Sequence, residues 1–201
     1  MTDVRTSVSH PIEVFWTPSE SHGQPGRLGL TFAPGKRGEG LATGAVWQRD
    51  LGADLDRLSE HHEMDVLVSL MEDCEYESLD IPELFSEALA RGIAVLRLPI
   101  ADTSTPAAGD FDQLVALAQK IRISLSAGHN VVIHCRGGLG RSGTIAALVL
   151  TTYGHAASKA VELVREAQPA AVENHRQYDY VARTAEPLSR ALSGVGLRQA
   201  G

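Results

Sequence analysis

Residues 134 to 143 read His134-Cys135-Arg136-Gly137-Gly138-Leu139-Gly140-Arg141-Ser142-Gly143. A thiol and a guanidinium are separated by five residues, and three of those are glycine. Glycine lets the backbone curl tightly, so that successive N–H groups can point toward one centre. The apolar residues after Ser142 predict a helix, whose N-terminus adds about half a positive charge and further free N–H groups. Arg141 offers a planar fork that matches two oxygens of a tetrahedral anion. Together these features describe a nest the size of one phosphate with a sulfur at its base. The same positive field favours the nucleophilic thiolate at Cys135. The expected chemistry is in-line attack of that sulfur on phosphorus, giving a cysteinyl-phosphate. The donors from Arg136, Gly137, Gly138, Leu139, Gly140 and Arg141 would hold the equatorial oxygens.

A phosphoester leaves poorly unless its oxygen is protonated, and a positioned acid contributes ~10²–10⁴-fold. Asp102 is the candidate acid. It follows a strand pattern and Pro99, on the segment before a strong helix, which places it at the same sheet edge as Cys135. Asp110 and Asp112 are rivals, but Asp110 is better used as the cap of that helix, with Gln113 completing a capping box. Arg136 either enriches the pocket for dianions or points to solvent. Cys74 is either an ordinary, partly buried cysteine or a thiol that could trap an oxidised Cys135 as a reversible disulfide. The eight histidines show no metal-ligand spacing. Glu72, Asp73, Glu75, Glu77, Asp80, Glu83 and Glu87 form an acidic run, read as a solvated face; next to the active site it would favour phosphosites with basic flanks.

Several elements must position these groups. Leu28–Phe32, Asp65–Leu70, Ile93–Leu98 and Asn130–His134 are short runs that predict strands, with Asp65–Leu70 buried. Between them lie helical patterns, at Leu51–Leu58, Pro82–Ala90 and Phe111–Leu125, and later at Lys159–Glu166 and Tyr178–Leu192. Ser142–Tyr153 is apolar nearly all round and predicts a buried helix. Thr17–Gly44 is rich in Gly and Pro and reads as loops around the strand at 28–32. The alternation predicts an α/β fold: a central, mostly parallel twisted sheet flanked by helices on both faces. In such folds ligands bind beyond the carboxyl ends of the strands, where Cys135 stands.

The chain has 201 residues, 43% hydrophobic and 21% charged, enough for one domain with a substantial core. Its formal net charge of −7 makes nucleic acid and anionic membranes poor partners. Two cysteines cannot form a disulfide framework. With no apolar leader pattern, they point to a reducing, cytoplasmic setting.

On these residues the sequence resembles a known superfamily. His134-Cys135, five residues, then Arg141-Ser142, matches the signature loop of the cysteine-dependent protein tyrosine and dual-specificity phosphatases. A longer similarity, from about Arg27 to about Leu192, is to the kinase-associated phosphatase group (the cyclin-dependent kinase inhibitor 3 family). It is carried by Leu28-Gly-Leu-Thr-Phe-Ala-Pro-Gly35, by Pro99-Ile-Ala-Asp102 with Thr105-Pro106, and by His134–Arg141. The tryptophan of the tyrosine-phosphatase acid loop is absent. The resemblance implies a single phosphatase domain over 1–201, with a core at about 27–192, a short N-terminal extension and a C-terminal tail. It implies no metal or other cofactor, Cys135 as nucleophile, Arg141 as phosphate binder and Asp102 as general acid. Ser142 would assist the sulfur as leaving group, and His134 would help set the thiolate. Gln177, in Glu173-Asn-His-Arg-Gln-Tyr178, resembles a late stretch that lines the site in relatives; otherwise it is part of a polar helix start.

The expected activity is therefore a protein tyrosine or dual-specificity phosphatase acting on phosphorylated proteins or peptides, as a monomer. The alternative is the same chemistry on inositol phosphates or phosphoinositides, whose enzymes tend to carry Lys inside the loop. A binding module is disfavoured by intact Cys135, Arg141 and Asp102. A sulfurtransferase would not need Arg141 so placed, and an arsenate reductase would need a resolving thiol, for which only Cys74 is available.

Overall fold

A computed structural model describes residues 3–39 and 44–196. Part of the Gly-rich stretch, 40–43, and the end of the expected tail, 197–201, lie outside the described residues.

Two short strands open the chain, β1 (Val4–Arg5) and β2 (Phe15–Trp16), followed by β3 (Leu28–Phe32), β4 (Arg37–Glu39) and β5 (Val46–Gln48). The later strands are β6 (Val66–Ser69), β7 (Ala94–Arg97) and β8 (Val131–Cys135). The central sheet runs β2-β3-β8-β6-β7, with β2 antiparallel to β3 and the other neighbours parallel. β8 lies in the middle and all five of its residues are buried. Its register sets Phe32 of β3 beside Cys135 and Ser69 of β6 beside His134. A second, three-stranded sheet, β1-β5-β4, was not foreseen from the sequence.

Strand side chains alternate between two cores, as a two-residue period requires. On one face Val131, Ile133, Val66 and Val68 pack with α4 (Phe111–Ser126), α5 (Gly140–Thr151), α6 (Ala157–Ala167) and α7 (His175–Gly196). On the other, Val132 and Leu67 pack with α1 (Leu51–Asp56), α2 (Asp73–Ser78) and α3 (Leu84–Ala90). The chain is thus a single-domain α/β fold with helices on both faces. Residues ahead of 27 join it: Ile12 is fully buried and β2 borders the sheet. All twelve residues of α5 are buried, which explains why its sequence lacks a polar stripe.

Two local readings change. The acidic run at 72–80 is no mere solvated face, since it contains α2, a helix the sequence reading omitted. Asp110 stands at the N-cap of α4 but makes no side-chain cap; its Oδ2 accepts from Ala107 N–H at 3.1 Å, shaping the turn before the helix.

One buried ion pair fixes the loop after β3. Arg49 and Asp54, 1% exposed each, are joined by Nε to Oδ2 and Nη2 to Oδ1, both 2.7 Å. Asp54 Oδ2 also accepts from Gly35 N–H at 2.8 Å. Gly35 has φ of +72°, and a Cβ there would lie within 2.7 Å of Leu51, so both the turn and its close approach to α1 require glycine.

Candidate active site

β8 delivers Cys135 to its carboxyl end, and the segment 136–139 turns directly into α5. Gly138 has φ of +75°, and a Cβ there would come within 2.6 Å of the Thr31 carbonyl carbon. Only glycine lets the loop lie against β3. Cys135 is 3% exposed. Its Sγ accepts from Gly138 N–H at 3.3 Å and lies 3.5 Å from Ser142 Oγ. No side chain caps α5, so its first-turn N–H groups are left for a ligand at the loop.

Arg141 is 1% exposed and is held end-on. Nη1 donates to Glu75 Oε2 at 2.6 Å, and Nη2 donates to Glu75 Oε1 at 2.8 Å. Nη1 also donates to the Ile100 carbonyl at 2.9 Å. Burial opposes the charge of the guanidinium, but Glu75, Cys135 and Asp102 hold it protonated. The side-on edge differs. Nε is buried without a hydrogen-bond partner, and Nη2 lies 2.7 Å from Asp102 Oδ1. That edge has the geometry to receive two oxygens of one anion.

Asp102 sits just beyond the end of β7, half exposed, on a segment that Asn174 and Gln177 hold against α7. Asn174 Nδ2 donates to the Thr103 carbonyl at 3.0 Å. Gln177 is fully buried, and both its amide atoms are engaged: Oε1 accepts from Glu173 N–H at 3.0 Å, and Nε2 donates to the Ser104 carbonyl at 3.2 Å. Gln177 also packs so closely on Gly140 that a Cβ there would meet Nε2 at 2.7 Å. It therefore touches both the loop and the acid segment.

The structure brings Cys135, Arg141, Ser142 and Asp102 together. Arg136 is partly exposed and reaches toward Ser78 of α2, its Nη1 3.5 Å from the Ser78 Oγ. Gly137 is exposed and Leu139 half-buried. Cys74 is exposed on α2, and both thiols are free. His134 is fully buried. Burial pushes its pKa down to about 3; the Cys135 backbone opposes this and Arg141 reinforces it. Its ring nitrogens make no hydrogen bond of good geometry, although the Cys135 backbone lies close by. The imidazole is neutral, so it adds no positive charge at the sulfur.

Sequence reasoning missed Glu75. It treated this residue as one charge of an acidic run, whereas Glu75 is 7% exposed and faces Arg141. Its Oε2 also accepts from Glu72 N–H at 2.9 Å, three residues earlier. That Glu72–Glu75 spacing is a helix-start signal readable in the sequence. The arginine partner, 66 residues away, is not.

A family model described as "Polymorphic toxin system, DSP-PTPase phosphatase" matches residues 44–155. The chain belongs to this phosphatase family. Cyclin-dependent kinase inhibitor 3 of Rattus norvegicus is 26% identical over 186 residues, 91% of this chain and 83% of that protein. A solved structure of kinase associated phosphatase, with its catalytic-site cysteine replaced by serine, superposes with a TM-score of 0.78 at 22% identity, covering 89% of this chain and 97% of that one. Tk-PTP in its active form is 30% identical, with a TM-score of 0.63, covering 80% of this chain and 92% of that one. The protein is a cysteine-dependent phosphoric monoester hydrolase of the protein tyrosine and dual-specificity type. Among the described residues no helix is long and apolar enough to cross a membrane.

Two outcomes follow from this geometry. Glu75→Gln removes one charge-assisted bond from Arg141 and frees the guanidinium to tilt; kcat/KM for an aryl phosphate is expected to fall by roughly 10²-fold. Unchanged kinetics would mean that the pair does not set the fork. The second concerns acid stability. Below about pH 6.5 the unfolded chain protonates His134 and the folded chain does not, so this stability is present above pH 6.5 and lost as pH falls. The loss approaches ~1.4 kcal/mol per pH unit. Thermal unfolding of His134→Asn should depend less steeply on pH between 6.5 and 4.5, and an equal slope would show that folded His134 takes up the proton.

Proposed function

We propose that Cys135 is the nucleophile, that Arg141 and the loop amides from Arg136 to Gly140 bind the phosphate, and that Asp102 is the general acid. The arrangement at Sγ carries this reading: a Gly138 N–H and the Ser142 hydroxyl beside the sulfur, with an orphaned Nε–H on Arg141 of the same loop. An incoming phosphate dianion takes the side-on fork of Arg141 and displaces the Asp102 carboxylate from Nη2. Once displaced, Asp102 takes up a proton from solvent and, in its acid form, is free to face the ester oxygen.

In the first step the Sγ–P bond forms and the P–O ester bond breaks, and Asp102 gives its proton to the leaving oxygen. In the second step water attacks phosphorus and yields its proton to Asp102. The P–S bond breaks, and the Ser142 hydroxyl supports the departing thiolate. His134 acts as a neutral, buried brace behind the nucleophile. Gln177 acts by holding the acid segment to the loop, since its amide atoms are already engaged.

The substrate we assign is a phosphorylated protein or peptide, met by a monomeric cytoplasmic enzyme formed by the whole chain. The acidic α2 beside the site supports this, because it favours one phosphate with basic flanks over a polyanion. Inositol phosphates and phosphoinositides form the comparison arm in a substrate panel, and preferential turnover of these would reverse the assignment.

Cys135→Ser should abolish hydrolysis of an aryl phosphate while vanadate still binds, as followed by calorimetry. Residual turnover by that variant would remove the cysteinyl-phosphate. Asp102→Asn should slow an alkyl phosphate by ~10²–10⁴-fold and a nitrophenyl ester much less. Equal losses on both substrates would point to another acid.

A further inference from the structure

Lys36 is buried, with 8% of its surface exposed. Its ammonium sits 4.3 Å from the ring centre of Phe32 and 4.0 Å from that of Trp47, and the two rings are tilted 47° to each other. An aromatic cage of this kind stabilises a cation without neutralising it. Among the described residues Lys36 has no ion-pair or hydrogen-bond partner. Its backbone is fixed by the Gly35 turn, itself tied to the Arg49–Asp54 pair. The loop 33–36 continues β3 along the phosphate loop: Phe32 is the register partner of Cys135, and Ala33 N–H donates to the Arg136 carbonyl at 3.4 Å.

The charges around Lys36 are Arg49, whose guanidinium lies over the same rings at 4.9 Å from Phe32 and 5.9 Å from Trp47, its partner Asp54, and Cys135 and Arg136 on the phosphate loop. Burial pulls its pKa down to about 8, helped by Arg49 and Arg136 and opposed by Cys135 and Asp54. Arg37 turns away to Asp80, and Arg5 stacks on Trp47. Asp54 is committed to Arg49 and Gly35. The remaining acidic group near Lys36 is the Cys135 thiol, on the strand residue paired with Phe32.

We propose that Lys36, held by Phe32 and Trp47, is a positioning residue that supplies the counter-charge for the Cys135 thiolate. A buried lysine without a carboxylate is costly for folding. Its counter-charge is the nucleophile, so that cost is turned to use in the reaction. The proposal rests on Cys135 being the nucleophile.

The test is the pH profile of alkylation by iodoacetamide, read at the Cys135 peptide by mass spectrometry so that Cys74 does not interfere. In Lys36→Met the midpoint should rise by roughly 0.5–1 pH unit, the size of one charge acting through a partly wet pocket. The acid limb of kcat/KM should move with it. Lys36→Arg should return the midpoint toward the parent value. Thermal unfolding of Lys36→Met should be unchanged or raised, because a desolvated charge has been removed. A fixed midpoint in a folded Lys36→Met, or a midpoint that Lys36→Arg leaves displaced, overturns the proposal. Turnover surviving in Cys135→Ser would instead overturn the nucleophile reading, so the two failures are distinguishable.

Discussion

The site depends on one buried ion pair, Arg141 with Glu75. Two groups at most 7% exposed meet through bonds of 2.6 and 2.8 Å, and further acceptors complete the shell around Nη1. A buried pair is weak grounds for stability, because desolvation consumes most of its Coulomb gain. Its effect here is geometric. It joins the start of α5 to α2 and to the end of β7 through Ile100, so the phosphate loop, the acidic helix and the acid segment share one fixed guanidinium. The end-on bond also decides which edge of Arg141 remains. With Nη1 and Nη2 committed to Glu75, the Nε side is presented to the loop, and an isolated arginine would not be so restrained.

The acidic composition takes on a different meaning around that pair. The net charge of −7 is spread over a surface on which many carboxylates are matched. Asp73 pairs with Arg97, Asp80 with Arg37, and Arg91 with both Asp56 and Glu87. Such exposed pairs contribute little stability each. They do place arginines along the acidic side of the molecule, so that the field close to that side is less negative than its count of carboxylates implies.

Much of this was legible in the sequence. The four parallel strands, the buried helix and the loop between them follow from apolar runs; β3, β6 and β8 are covered on both faces and need few polar residues, while the edge strand β7 is exposed at both ends. The two- and three-residue strands of the second sheet carry no such period, and α2 was hidden by its charges, which read as a solvated face. Glu75 escaped because its arginine lies 66 residues away, and local pattern holds no record of that partner. Lys36 escaped although Phe32 and Trp47 are near it in sequence, because no local period marks the turn that folds those rings over its ammonium. Gln177 was legible as a candidate but not in its bonding, since its acceptor at Ser104 lies on another element.

The neutral state of His134 constrains where the field at the sulfur originates. A histidine beside a nucleophilic cysteine invites the reading of an imidazolium–thiolate pair, yet complete burial next to Arg141 excludes the second positive charge. Arg141 itself is largely balanced by Glu75, and Asp102 stands close to its remaining edge. On the proposed reading, the positive groups near Sγ that carry no matching carboxylate are the Gly138 N–H, the uncapped start of α5 and the caged ammonium of Lys36. Two of these are backbone, fixed by the fold and insensitive to pH. This division gives the loop a constant field for phosphate from its amides, with one titrating side chain placed to adjust the sulfur.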